Sequence, residues 1–394
     1  MILGTYRPTN GKARFGEPSV VGADFPTTNA STAYNPTWAY VLSIISGWAY
    51  AEGQFLADEL FFHGLPRCEV REISVQNKAL LIVASAYLIY DEEHKIGVLA
   101  FRGTEPDNLI NWLTDAESAK YPFGKGYVHS GFFANVEALW ANIVQLIDPL
   151  VEDGKIQELY ITGHSLGAAM AVVAAAQIFK DPSSKSPYAK WRDCIRGVYS
   201  FAQPMVGDAE FAAEFHEKFG EFLYRYTYDQ DVVPCLPPTS VDTDFVHFGV
   251  RRFAHTCEEE WTVGGNDRRA ELGDLALVAG SFFTRRIDAL RLPGMRLCPY
   301  SLDDHSPRGY IDVTRNALMP QKARAKPVSL PAAKTPLTLF EALSQAVEQA
   351  ISVPGKVLQS LRSVRLRLIG GNGSSAKAHG AVTSGQSPGR AAGS

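Results

Sequence analysis

Gly163-His164-Ser165-Leu166-Gly167 stands between two segments of different character. Before it, Leu159-Tyr160-Ile161-Thr162 reads as a short apolar strand. After it, Ala168-Ala169-Met170-Ala171-Val172 opens a run of small and aliphatic residues with helical character. Strand, G-x-S-x-G and helix in that order describe a nucleophile elbow, in which a serine sits on a sharp turn with its hydroxyl presented above the sheet. The glycines belong to the pattern because that turn is strained and crowded. In a chain with 33 glycines the pentapeptide alone carries little weight, and the flanking strand and helix supply the rest.

Outward from the elbow the same alternation continues. Ala79–Tyr90 and Ile96–Phe101 flank a polar turn and read as a strand hairpin. Glu158–Thr162, Gly197–Phe201 and Glu221–Tyr228 are three further strand candidates. Helix patterns separate them at Leu166–Phe179 and at Ala209–Lys218, the latter with Phe211, Phe215 and Phe219 at i, i+4 spacing. Such alternation predicts an α/β fold, a mostly parallel central sheet with helices on both faces. Residues 1–35, rich in Gly, Pro, Asn, Thr and Ser, read as an extended lead-in, and residues 36–318 as the main domain. Residues 319–335 follow as a Pro, Lys and Ala linker, residues 336–369 as a helical extension, and residues 370–394 as a disordered Gly/Ser/Ala tail. Within 36–318, Gly273–Leu290 is a further helix candidate.

The composition is that of an ordinary globular protein, with 46% apolar and 20% charged residues over 394 positions. Net charge is −4, yet residues 320–394 carry ten Lys/Arg against two Glu, so an acidic body is joined to a basic tail. The longest apolar stretches fall short of the roughly 18 residues of a membrane-spanning helix. The start, Met1-Ile2-Leu3-Gly4-Thr5-Tyr6-Arg7-Pro8, lacks a secretory pattern, and a cytoplasmic protein is expected. Five cysteines without a C-x-x-C pair predict reduced, mostly buried thiols. No phosphate-binding G-x-x-x-x-G-K-[ST] pattern occurs, and the basic residues concentrate only in the tail, so neither a nucleotide cofactor nor a nucleic-acid partner is expected.

A serine hydroxyl needs a histidine to take its proton and a carboxylate to orient that histidine. In an elbow-bearing sheet these follow in the order Ser, acid, His. The acid belongs after a later strand, and Asp229-Gln230-Asp231-Val232-Val233-Pro234 offers two; separated by two residues, Asp229 and Asp231 point the same way in extended chain, and pattern does not choose. Among the histidines that follow, His379 lies in the tail. His247 and His255 sit in short apolar segments that suit packed core residues. His305, after Asp303-Asp304 in a polar loop, suits a loop-borne base. Asp-Asp-His lacks a second ligand set at metal spacing, so no metal is expected. Oxyanion donors are sought in the Leu166 N–H and in Thr104, at the end of Phe101-Arg102-Gly103-Thr104.

Six ordered blocks resemble the class 3 lipase family, which includes small fungal triacylglycerol lipases and plant acyl hydrolases. They are Phe101-Arg102-Gly103-Thr104 with Asn111-Trp112; Val128-His129-Ser130-Gly131-Phe132; Thr162 to Gly167; Tyr199-Ser200-Phe201-Ala202-Gln203-Pro204-Met205-Val206-Gly207; Tyr224-Arg225 through Asp231-Val232-Val233-Pro234-Cys235-Leu236-Pro237; and Asp304-His305. They span roughly Thr37 to Val313. The resemblance implies an α/β-hydrolase fold and a serine esterase of lipid esters, triacylglycerol or phospholipid, with Ser165, Asp231 and His305 as triad and Thr104 and Leu166 at the oxyanion hole. It leaves Asp229 on a variable position, His129 in a packing role and His247 in a block before the base. It also implies a lid, here Glu105–Leu113, where Leu109, Ile110, Trp112 and Leu113 supply apolar side chains; a helix packed on the body is the alternative. The basic helix Lys356–Ile369 reads either as a contact for anionic lipid surfaces or as a helix packed on the acidic body. A lipase-like scaffold without activity would be expected to carry a damaged triad, and here all three positions are intact. The oligomeric state is not legible.

Overall fold

All six residues of Ile96–Phe101 are buried, and they divide by parity. Ile96, Val98 and Ala100 enter one core, Leu99 and Phe101 the other. A strand apolar on both faces belongs inside a covered sheet. The computed structural model describes residues 2–8, 31–63, 65–77, 82–103, 120–237, 244–256, 259–267 and 304–319. Nine strands form one sheet in the spatial order β1 (Ile2–Tyr6), β2 (Glu69–Asn77), β3 (Ile82–Asp91), β4 (Ile96–Phe101), β7 (Glu158–His164), β8 (Ile195–Phe201), β9 (Leu223–Tyr228), β10 (Val250–Ala254) and β11 (Thr262–Val263). The two remaining strands, β5 (Lys120–Phe123) and β6 (Gly126–His129), pair with each other. The five strands from β4 to β10 in that order run parallel, and antiparallel strands extend the sheet on either side.

Helices cover both faces. On one side lie α1 (Pro36–Trp48), α2 (Gly53–Phe62) and α7 (Pro307–Leu318). On the other lie α3 (Ser130–Glu152), α4 (Leu166–Phe179), α5 (Ala189–Cys194) and α6 (Ala209–Phe219). The start of α1 follows from local chemistry: the Asn35 side chain accepts from the amides of Thr37 and Trp38 at 2.9 and 3.2 Å, and Pro36 fills the first turn. Every residue from Trp38 to Ser46 is buried, because α1 lies between the sheet and α7. Trp38 stacks on Tyr160 of β7 at 3.9 Å between ring centroids. Across the helix pair, Ser43 Oγ and Thr314 Oγ1 are 2.8 Å apart, and Gly47 leaves room for Ile311 and Pro307. The first and last described helices are thereby clasped together.

The observed elements differ from the sequence reading in particular places. Within the 1–35 lead-in, Ile2–Tyr6 is an edge strand paired with Tyr6 opposite Val70, an arrangement its own five residues do not announce. The 23-residue α3 buries Phe132, Val136, Leu139, Trp140, Ile143, Ile147 and Leu150 at helical spacing, although a motif-led reading leaves it unassigned. β9 begins at Leu223 because a 3₁₀ turn occupies Gly220–Phe222. The helix candidates Gly273–Leu290 and Lys356–Ile369, the 336–369 extension and the 370–394 tail lie outside the described residues, as does the 319–335 linker beyond Met319. Among the described residues no helix is long and apolar enough to cross a membrane. Cys68, Cys194 and Cys235 are free thiols, the first and last of them buried.

Candidate active site

β7 ends at His164, α4 begins at Leu166, and Ser165 makes the whole turn between them at φ 60°, ψ −130°. For a non-glycine residue this conformation costs on the order of 1–3 kcal/mol and persists only where its surroundings enforce it. Here the Ser165 amide donates to the Phe201 carbonyl of β8 at 2.9 Å, and its carbonyl accepts from Ala168 at 2.9 Å. The flanking glycines are required by contact. A methyl group at Gly167 would strike the carbonyl of Phe101 in β4, and one at Gly163 would strike the backbone of Gly167. A Gly167→Ala protein is therefore expected to lose about 1–3 kcal/mol of stability, read as a lower urea midpoint with unchanged slope; an unchanged midpoint would show that helix and strand can part at no cost.

Asp231 follows β9, whose last residues deliver it to the same end of the sheet as Ser165. Its carboxylate is fully buried and accepts from three directions. The Val233 amide donates to Oδ1 at 2.9 Å, the Tyr310 hydroxyl donates to Oδ2 at 2.6 Å, and His305 Nδ1 lies 3.1 and 3.0 Å from Oδ1 and Oδ2. His305 Nε2 in turn lies 2.9 Å from Ser165 Oγ. Serine, imidazole and carboxylate thus form one continuous hydrogen-bonded line, although His305 is 140 positions from Ser165 in the chain. With a carboxylate as acceptor, Nδ1 carries the ring proton and Nε2 presents its lone pair to the serine, the arrangement in which a hydroxyl proton can be removed. Leu166 is the first residue of α4, so its N–H has no carbonyl one turn earlier to bond.

Of the two carboxylates that spacing leaves open, the structure brings Asp231 to the line. The assumption that both point the same way fails because the chain is not extended there: Asp229 has φ 38°. Its carboxylate pairs with His255 Nδ1 at 3.5 Å, and the His255 side chain is 59% exposed, so the expectation of a packed core histidine is corrected. β10 ends at Ala254, and His255 lies in the turn beyond it. His247 is half-buried and its Nε2 is 2.7 Å from the Pro234 carbonyl; desolvation of the ring, together with the Arg225 charge, lowers its pKa. His129 caps α3, Nδ1 accepting from the Gly131 amide at 3.1 Å. Thr104 and the lid residues Leu109, Ile110, Trp112 and Leu113 lie outside the described residues. Among the described residues no three His, Cys, Asp or Glu side chains gather as metal ligands. Sequence reasoning missed Tyr310, and a lone tyrosine one turn into the helix after the base gave little signal.

Residues 98–241 match the family described as Lipase (class 3). That segment, less than half of the chain, is similar to the class 3 lipases. It holds the elbow and Asp231, while His305 lies beyond it. Among similar proteins, the secreted mono- and diacylglycerol lipase 1 of Fusarium solani is 33% identical over 184 residues, 46% of this chain and 48% of the relative. The secreted mono- and diacylglycerol lipase A of Penicillium cyclopium is 26% identical over 208 residues, 50% of this chain and 57% of the relative. The chain therefore spans about half the length of these curated relatives. A crystal structure of the lipase from Rhizopus microsporus var. chinensis superposes with a TM-score of 0.51 over 75% of this chain and 96% of that one, at 16% identity. The two chains share a fold, the α/β-hydrolase fold. The expectation of a cytoplasmic protein is overturned by relatives that are secreted lipases; it rested on the absence of a leader pattern, and an absence fixes no location.

Proposed function

We propose that this protein is a serine carboxylic-ester hydrolase acting on lipid esters, with Ser165 as nucleophile, His305 as general base and acid, and Asp231 as the carboxylate that orients it. The observation that carries the reading is the unbroken line Ser165 Oγ, His305 Nε2, His305 Nδ1, Asp231, at 2.9 to 3.1 Å per step. Ser165 Oγ attacks the ester carbonyl as its proton passes to His305 Nε2. The carbonyl electrons move to oxygen, where the Leu166 N–H and Thr104 serve as donors. Collapse of this intermediate expels the alcohol, which takes the proton from His305 and leaves an acyl group on Ser165. Water, deprotonated by the same histidine, then releases the carboxylic acid and restores the hydroxyl.

Residues 36–318 are the catalytic domain in this reading, with Leu109, Ile110, Trp112 and Leu113 as the apolar face of a lid. A lipid ester substrate and action outside the cell are supported by the secreted mono- and diacylglycerol lipases that the chain resembles. The test is a p-nitrophenyl ester series of increasing chain length, run beside triolein and phosphatidylcholine with the Ser165→Ala protein as control. Ester cleavage that is equal in parent and variant would end the proposal.

Tyr310 adds a prediction. Burial, and then the charge of Asp231, push its phenol pKa well up, so the hydroxyl stays protonated and donates to the carboxylate. A hydrogen bond to a charged group contributes about 1.5–3 kcal/mol. Tyr310→Phe is expected to lower kcat about tenfold or more by that amount, with KM little changed; steady-state kinetics showing a rise in KM alone would count against it.

A further inference from the structure

A second histidine sits behind the first. His164, the last residue of β7, is 1% exposed, and its backbone pairs with Phe201 of β8, so its ring stands on a rigid part of the sheet. The ring lies 4.6 Å from that of His305 at an interplanar angle of 39°, and 5.7 Å from that of Tyr310 at 73°. One imidazole thus touches both side chains that hold the Asp231 carboxylate. On its other side, His164 Nδ1 is 2.9 Å from the hydroxyl of Tyr50, a residue of the turn after α1. The same hydroxyl fills the space beside the Cα of Gly103, where any side chain would collide with it and with the His164 carbonyl. Tyr50 therefore fits between the β4 strand end and the elbow.

We propose that Tyr50 and His164 are a positioning pair for His305: the Tyr50 hydroxyl fixes His164 in one neutral tautomer, and the ring held in this way braces the base against Ser165 and Asp231. The inference rests on the reading of His305 as the base. A phenol O–H is a stronger donor than an imidazole N–H, so Tyr50 donates, Nδ1 accepts and the ring proton resides on Nε2. Fixing the tautomer matters because of what His305 does. It gains a proton in each half of the reaction, and a neighbouring imidazole free to take a proton would set a like charge beside it. Burial, reinforced by the charge of His305, pushes the pKa of His164 well below that of an ordinary histidine. The pair leaves the base a partner on one side, a nucleophile on another and an uncharged wall behind.

The test uses the full chain and its Tyr50→Phe variant, which keeps the ring against Gly103 and removes only the hydroxyl. Nitrogen-15 NMR of labelled histidines is expected to show His164 as the Nε2–H tautomer alone in the parent, without titration through the range in which histidines ordinarily ionise. In the variant both tautomers are expected, with kcat down about three- to tenfold, the worth of one neutral hydrogen bond, and KM unchanged. A His164 that titrates normally in the parent, or a variant matching the parent in tautomer and kcat, overturns the pair. A parent without Ser165-dependent ester cleavage removes instead the base that the pair serves, and the Ser165→Ala control separates that result from the first two.

Discussion

Replacing Ser165 by alanine is expected to lower ester hydrolysis by about 10⁴- to 10⁶-fold, the range found when the nucleophile of a serine triad is removed. What survives is the contribution of binding and of the oxyanion donors, which do not need the hydroxyl. The substitution is mild structurally. The turn is held by backbone bonds from the Ser165 amide to Phe201 and from Ala168 to the Ser165 carbonyl, and alanine makes both. Initial rates on p-nitrophenyl butyrate, with thermal unfolding as a control on folding, check the result. A variant that keeps a tenth of the parental rate would remove Ser165 from the chemistry.

Asp231→Asn is expected to cost about 10⁴-fold in kcat, by a different route. The carboxylate sits among three donors: the Val233 amide, the Tyr310 hydroxyl and the Nδ1–H of His305. Asparagine has one acceptor oxygen, and wherever its NH₂ group turns it meets a donor. The least costly adjustment is for His305 to move its proton from Nδ1 to Nε2, which then faces the Ser165 hydroxyl with a hydrogen instead of a lone pair. The variant keeps the shape of the site and loses the base. Rates measured across the pH range, together with the low-field proton resonance of the His305 Nδ1–H in the parent, check this. Persistence of that resonance in the variant beside full activity would contradict it.

The elbow was legible because it is a local matter. Strand, turn and helix lie within Glu158–Phe179, and the helix starts and stops where the pattern of small and aliphatic residues does. Asp231 is named by the family resemblance, whereas spacing alone leaves it level with Asp229. The positive φ of Asp229 turns the two carboxylates apart, and residue spacing does not encode that angle. His255 departs from its expectation for a related reason: an apolar neighbourhood in sequence says little about a residue just past the end of a strand. Tyr310, Tyr50 and the bracing face of His164 act through contacts between residues far apart in the chain, 79 positions in the case of Tyr310 and Asp231. The edge strand Ile2–Tyr6 likewise exists by virtue of its partner β2.

The clasp between the Pro36–Trp48 and Pro307–Leu318 helices bears on how the protein comes into being. Closing contacts of such wide separation costs more chain entropy than the local pairings between them, so the clasp is expected to form after those. On a ribosome, the strand and helix around Ser165 are translated well before His305. On the proposed reading, the nascent chain lacks the base for Ser165 until the 305–318 segment emerges and docks on the Pro36–Trp48 helix.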